Sequence, residues 1–133
     1  MADKGRSTDA PKPHILIVED EEGLRFMLES KLYQSGYRVS VAATGLHGLQ
    51  KLRSGEKYDL IISDMKMPRM TGPELFKEYK NLGGVAPFVI LTGFPDRSKI
   101  SEAIALGVHD VILKPIRHGD LINRITQLLQ PNI

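Results

Sequence analysis

The sequence predicts an α/β fold, a doubly wound parallel sheet of five strands with five helices. Five short apolar runs alternate with segments in which apolar residues recur at helical spacing. The runs are rich in β-branched residues and lack polar alternation, which is typical of strands that are covered on both faces. Strict alternation of strand and helix, with right-handed crossovers, places helices on both sides of such a sheet. The 133 residues fit one domain with one core.

The order of the strands follows from their number. The five predicted strands are His14–Val18, Tyr37–Val41, Tyr58–Ser63, Pro87–Leu91 and Asp110–Leu113. Five strands suit the flavodoxin-like order 2-1-3-4-5, in which the winding direction reverses beside the first strand. That reversal opens a crevice at the carboxyl ends of the first and third strands.

The intervening segments carry signals for the start and end of helices. The first predicted helix, Glu21–Ser35, has acids in its first turn and ends before Gly36. Thr44, Thr71 and Asp96 are placed to cap the next three helices. A last apolar face runs from residue 121 to residue 129 and predicts the fifth helix.

Composition excludes several classes of protein. A net charge of +2 argues against direct nucleic-acid binding and against attraction to anionic membranes. Without cysteine there is no disulfide and no thiolate metal site, which allows a reducing compartment, and we expect a cytoplasmic location. No apolar run approaches the roughly 20 residues of a membrane-spanning helix. Residues 1–13 are polar and lack the apolar segment of a signal peptide, so we predict a flexible tail followed by a domain over residues 14–130.

Polar side chains stand at the ends of four predicted strands. Glu19 and Asp20 follow the first strand, Asp64 the third, Thr92 the fourth and Lys114 the fifth. Because parallel strands end at the same edge of a sheet, we expect these groups to lie close together. The three acids follow the two strands that border the predicted crevice.

Three carboxylates in one crevice indicate a site for a hard divalent cation. Like charges repel, and Mg²⁺ prefers oxygen ligands in octahedral geometry. Asp20 and Asp64 would bind directly, Glu19 through water, and a main-chain carbonyl after Asp64 could join them. In the alternative interpretation these acids only interact with the start of a helix, which explains Glu21 and Glu22 but leaves Asp64 unexplained.

The same carboxylate of Asp64 could act as a nucleophile toward phosphorus and form an aspartyl phosphate. Phosphoryl transfer requires in-line positioning and neutralisation of the equatorial oxygens more than acid–base groups. Lys114 supplies a point charge for that purpose, and Thr92 supplies a hydroxyl donor. Taken singly, each would be an ordinary strand-end or surface residue; their matching positions favour a shared role.

Four segments together resemble the motifs of a known family. These segments are ILIVEDE at residues 15–21, DMKMP at 64–68 with Gly72, LTG at 91–93 and KP at 114–115. In order and spacing they resemble the signature of response-regulator receiver domains of two-component, or phosphorelay, signalling. The resemblance covers roughly residues 13–130 and extends to the fold of the chemotaxis response regulator.

The resemblance implies a role for each matched residue. Asp64 would accept a phosphoryl group from a histidine kinase or a histidine phosphotransfer protein, and Thr92 and Lys114 would contact that group. The chain would catalyse only its own phosphorylation and autodephosphorylation. A cis peptide bond before Pro115 is also implied. The ligands implied for Mg²⁺, or for Mn²⁺ in its place, are Glu19, Asp20, Asp64 and the main-chain carbonyl of Lys66.

Two positions bear on regulation. Val111 stands where the family usually carries Tyr or Phe, so the switch that couples a moving ring to Thr92 is not expected here. We expect output to work through the loop from Thr92 to Asp96 and the helix that follows. Phe94 lies two residues after Thr92, and we hypothesise that its bulk slows hydrolysis of the phosphoaspartate.

Two other functions stay open from the residues alone. One is an interaction module that kept the fold and lost phosphorylation, which Val111 mildly favours and the intact acids, Thr92 and Lys114 oppose. The other is a magnesium-dependent phosphatase, which usually has a second Asp where Lys66 stands. Expected partners are a downstream protein or an output domain, without direct contact to nucleic acid or membrane. A second copy is a further candidate, through helix faces that carry Lys99, Glu102, Arg117 and Arg124.

Overall fold

The computed structural model describes residues 12–93 and 96–130, which form one parallel sheet covered by helices. Its strands are β1 His14–Val18, β2 Arg38–Ala42, β3 Leu60–Asp64, β4 Phe88–Thr92 and β5 Asp110–Leu113. Its helices are α1 Glu22–Gln34, α2 Gly45–Arg53, α3 Gly72–Asn81, α4 Arg97–Leu106 and α5 His118–Leu129. Only residues 12 and 13 of the predicted tail are described, so the tail and its boundary with the domain stay predictions.

The predicted helix caps are confirmed. Thr44, Thr71 and Asp96 each accept a hydrogen bond from a main-chain N–H in the first turn of α2, α3 and α4. Thr71 and Glu74 form a reciprocal capping box, which satisfies two N–H groups at once. Helix α1 begins at Glu22, one residue later than predicted, and Glu21 precedes it without a side-chain cap bond. Each cap that is present is worth about 1 kcal/mol.

The sheet has the order β2-β1-β3-β4-β5 with every neighbouring pair parallel, as predicted. Three strands run one residue further than the sequence indicated, so Asp64 and Thr92 are the last residues of β3 and β4 rather than the first residues after them. The ladder explains the difference, because Met65 N donates to Leu91 O at 3.0 Å and Lys114 N donates to Thr92 O at 2.8 Å.

Two apolar layers hold the helices on the two faces of the sheet. One layer joins strand residues such as Ile15 and Ile62 to Leu28 of α1 and Ile125 of α5. The other layer joins the opposite strand faces to α2, α3 and α4. The central strands β1 and β3 are therefore covered on both sides, and only their ends are left to carry polar groups. The polar groups that follow the strands therefore lie at the carboxyl edge of the sheet.

Candidate functional site

The carboxyl edge of the sheet brings together the three acids predicted from the sequence. Val18 pairs with Ser63, so Glu19 and Asp64 leave their strands at the same level. Glu19, Asp20 and Asp64 each place a carboxylate oxygen within 4.8 Å of the other two. The three side chains differ in exposure, since Glu19 is buried, Asp64 is half-buried and Asp20 faces solvent.

Lys114 bridges two of these acids. Its Nζ lies 3.4 Å from Glu19 Oε1 and 3.4 Å from Asp64 Oδ1. Both distances are long for a hydrogen bond, so the contact is chiefly electrostatic. The peptide bond between Lys114 and Pro115 is cis, as the family resemblance implies. Lys114 follows β5, and its two contacts show that its side chain reaches the acids that follow β1 and end β3.

Burial of the acids changes their protonation. Burial raises the pKa of Glu19 to about 7; the hydrogen bond from Glu21 N opposes this shift and the charge of Asp64 adds to it. Burial also raises the pKa of Asp64, although the Lys114 ammonium acts in the opposite direction. Carboxylates that are difficult to ionise together gain most from a neighbouring cation. The oxygen donors thus fit a hard divalent ion such as Mg²⁺.

Glu19 is fixed at both its main chain and its side chain. Its N–H donates to Ala42 O at 3.0 Å, and its Oε2 accepts from Glu21 N at 3.1 Å. Arg25 reaches back from α1 and donates from Nη1 to Glu19 O at 3.0 Å. Arg25 was not predicted from the sequence as a site residue. The only available signal was its position six residues after Glu19, early in the predicted helix.

The loop after Asp64 is held close to the strand. Gly72 N donates to Met65 O at 2.9 Å, and a Cβ at Gly72 would lie 2.5 Å from the main-chain oxygen of Asp64. Only glycine fits there without displacing the backbone of Asp64. Arg69 adopts the left-handed conformation with φ 70°, which is uncommon outside glycine. Lys66 is exposed in this loop, and its proposed carbonyl contact stays a prediction.

Thr92 and Val111 occupy the adjacent strands β4 and β5. Thr92 is fully buried, with 0% exposure, at the end of β4. Val111 pairs with Ile90 and is half-buried against the layer of α2, α3 and α4. Phe94 lies outside the described residues, so the hypothesis about hydrolysis stays a prediction.

Comparison with known proteins assigns the family. The model of the response regulator receiver domain matches residues 15–126. The chain is 36% identical over 115 residues to Regulator of RpoS from Escherichia coli (strain K12), covering 86% of this chain and 33% of that protein. A CheY-like receiver domain protein from Methanospirillum hungatei JF-1 superposes with a TM-score of 0.84 at 30% identity, covering 89% of this chain and 94% of that one. Chemotaxis protein CheY4 of Vibrio cholerae gives 0.83 at 31% identity, covering 89% and 99%.

The parallel sheet and its acidic edge define a receiver-type α/β domain. The chain belongs to the response regulator receiver domain family of two-component signalling. It spans about a third of the length of Regulator of RpoS and 26% of the transcriptional regulatory protein GlrR of Escherichia coli, so those proteins contain much more than this unit. Among the described residues no helix is long and apolar enough to span a membrane.

Proposed function

We propose that Asp64 is the phosphoryl acceptor of this receiver domain and that a histidine kinase or a histidine phosphotransfer protein is the donor. One observation carries this proposal: Lys114 Nζ lies 3.4 Å from Asp64 Oδ1 while Glu19 and Asp20 lie in the same cluster. A carboxylate at a strand end with both a cation and further acids around it is arranged for phosphoryl chemistry.

The transfer is a displacement at phosphorus. An ionised oxygen of Asp64 attacks the phosphorus atom, and the bond from phosphorus to the donor imidazole nitrogen breaks, leaving its electron pair on that nitrogen. The product is a mixed anhydride on Asp64. Lys114 neutralises charge on the equatorial oxygens, and the Thr92 hydroxyl donates to one of them. Later attack by water on phosphorus returns Asp64 and phosphate, so the chain acts only on its own phosphoryl group.

The acids supply a second requirement of this chemistry. Glu19, Asp20, Asp64 and the main-chain carbonyl of Lys66 would hold Mg²⁺, and Mn²⁺ would substitute because it prefers the same oxygen ligands. When bound, the cation neutralises charge on the carboxylates and on the phosphoryl oxygens. Glu19 would act through a coordinated water, and its carboxylate is held in place because Oε2 accepts from Glu21 N at 3.1 Å and Oε1 lies 3.4 Å from Lys114 Nζ.

Output is proposed to run through the loop after β4 and through α4. A phosphoryl group that engages Thr92 would draw that loop toward Asp64, and Val111 has no ring to move in response. A downstream protein or an output domain would detect the change. If a phosphomimetic changed the structure only in the acid pocket and left α4 unchanged, that result would contradict this route.

A homodimer through α4 and α5 is a further proposal within this function. Arg124 already pairs with Asp110 in the same chain, so it would have to exchange partners. Lys99, Glu102 and Arg117 have no ion pair within residues 12–93 and 96–130 and are the better candidates for contacts between copies. We propose a cytoplasmic setting, where donors of this class supply phosphoryl groups.

The test uses acetyl phosphate and Mg²⁺ with the whole chain. We expect one adduct that is stable in acid and labile in base, absent from Asp64→Asn and retained by the matched control Asp120→Asn. Asp120 is an exposed acid in the first turn of α5 and is not one of the three clustered acids. Absence of an adduct in the wild type would favour the interaction module, and rapid turnover of small phosphate esters would favour a phosphatase.

A further inference from the structure

Helix α1 presents two large aromatic side chains to solvent. Phe26 is 68% exposed and Tyr33 is 71% exposed. Seven residues separate them, so they stand two turns apart, about 10 Å, on one side of the helix. Leu28 faces the core, and both rings lie about 140–160° around the helix axis from it. Single exposed apolar side chains are ordinary, but two aligned rings place apolar area twice along the same side of one helix.

Two acids complete this surface. Glu22 and Glu29 alternate with Phe26 and Tyr33 at intervals of four, three and four residues, which is the spacing of a helix–helix seam. We call these four residues the α1 strip. Within the described residues neither acid has an ion pair or a side-chain hydrogen bond, whereas Glu56 and Glu78 are paired with arginines. The nearest cation on α1, Arg25, is engaged with Glu19 O.

We propose that the α1 strip binds a basic amphipathic helix of a partner protein. Apolar side chains on one face of such a helix would pack against Phe26 and Tyr33. Its Lys or Arg side chains would pair with Glu22 and Glu29 and lie over the aromatic rings as cation–π contacts. None of the residues proposed for phosphorylation or metal binding belongs to the strip, so the strip can be substituted without changing them.

The charge of the α1 strip disfavours three other binding partners: anionic lipid, nucleic acid and a second copy of the chain. Anionic lipid and nucleic acid would be repelled by Glu22 and Glu29. A second copy of the chain is also disfavoured, because a two-fold pairing that matches Phe26 with Tyr33 of the other copy sets the two Glu29 side chains beside each other at its centre. A cationic partner meets neither objection.

The probe is a synthetic amphipathic helix of Leu and Lys that carries one Trp. The chain contains no Trp, so the fluorescence reports the peptide alone. The matched control peptide has the same composition in a shuffled order without an apolar face. Saturating Mg²⁺ keeps the lysines away from the acids around Asp64. We expect the amphipathic peptide to bind at least about tenfold more tightly than the shuffled one.

Variants assign the binding to the strip. Phe26→Ser with Tyr33→Ser should weaken it at least about tenfold, and Glu22→Gln with Glu29→Gln should weaken it severalfold and reduce its dependence on salt. Leu82→Ser with Val85→Ser is the control, because these side chains are 47% and 88% exposed on another surface, and it should bind as the wild type does.

Thermal unfolding and the yield of the Asp64 adduct verify that each variant is folded. Equal binding by the Phe26→Ser, Tyr33→Ser variant, or equal affinity for the shuffled peptide, would overturn the proposal. A concentration-dependent dimer that this variant loses, without peptide binding by the wild type, would assign the strip to a second copy and overturn it as well.

Discussion

At the scale of single residues, Lys114 has two opposing effects. Its Nζ lies 3.4 Å from oxygens of both Glu19 and Asp64, so it neutralises acids that would otherwise attract a cation more strongly. It is also the group proposed to meet the phosphoryl oxygens. We therefore expect the same charge to lower metal affinity and to promote phosphoryl transfer.

The variant Lys114→Ala separates these effects. We expect phosphorylation by acetyl phosphate to slow at least about tenfold, because a donor to the developing charge is lost. We also expect Mg²⁺ to bind severalfold more tightly, because the acid cluster becomes more negative. Lys99→Ala, which removes an exposed lysine on α4, should change neither quantity. A parallel fall in both would contradict the assignment of two separate effects to Lys114.

His14 makes a second prediction at this scale, at the opposite edge of the sheet. It is buried, and its Nε2 lies 2.7 Å from Ser40 Oγ. Burial lowers its pKa below 6.5, Arg38 lowers it further, and the charges of Glu56 and Asp59 act in the opposite direction. The neutral imidazole is therefore the form that the folded state favours.

The sign of the pH effect follows from this shift. Below about pH 6.5 the unfolded chain binds a proton that the folded chain does not, so stability is lost as the pH falls through that value. His14→Gln removes this titration. We compare the free energy of unfolding of the wild type with that of the variant at about pH 7.5 and at about pH 5.5. We expect the wild type to lose stability relative to the variant at the lower pH. Urea unfolding measures it, and a difference independent of pH would refute the claim.

At the scale of elements, the start of α3 is fitted to the end of β3. A Cβ at Gly72 would lie 2.5 Å from the main-chain oxygen of Asp64, and that backbone cannot move without moving Asp64, the proposed phosphoryl acceptor. We expect Gly72→Ala to lower the free energy of unfolding by about 1–3 kcal/mol and to slow phosphorylation. Both are measured on one preparation, by urea unfolding and by adduct formation.

The matched control lies in α1. A Cβ at Gly23 would meet no atom within 4 Å beyond the adjacent backbone of its own helix, so alanine points into open space there. Gly23→Ala should raise stability by about 0.5–1 kcal/mol, because alanine loses less backbone entropy in a helix. If the two substitutions had equal effects, the contact between Gly72 and Asp64 would not be the cause.

Local sequence could predict the elements because their signals are local. Thr71 and Asp96 cap their helices through atoms two or three residues away, and apolar runs mark strands wherever they pair. The last residues of β2, β3 and β4 were predicted one position too early, because a strand end depends on its neighbour: Thr92 belongs to β4 since its carbonyl accepts from Lys114 N, 22 residues further along the chain. Arg25 was missed for the same reason, as its contact requires the helix to be in place.

At the scale of the whole molecule, the acid edge opposes the stability of the metal-free fold. Each of the three carboxylates has an oxygen within 4.8 Å of an oxygen of the other two. The ammonium of Lys114 forms ion pairs with two of them, Glu19 and Asp64. The sequence could predict this cluster, since the strand order alone sets Glu19, Asp20 and Asp64 at one edge. It could not predict their unequal burial, which depends on packing by α1 and by the loop after β3.

Cation binding should therefore stabilise the entire domain. A cation that binds only the folded chain adds about 2.7 kcal/mol at a concentration 100 times its Kd. We expect Mg²⁺ to raise the melting temperature of the wild type, and Asp20→Asn to abolish most of that rise. Without metal the variant should be slightly more stable than the wild type, by less than about 1 kcal/mol, because Asp20 is exposed and its repulsion is screened. Asp120→Asn, outside the cluster, should keep the full rise in melting temperature with Mg²⁺. If Asp20→Asn kept that rise too, the three acids would not form the metal site. If Asp20→Asn lost both the rise and the metal-free stability, Asp20 would support the fold by another contact.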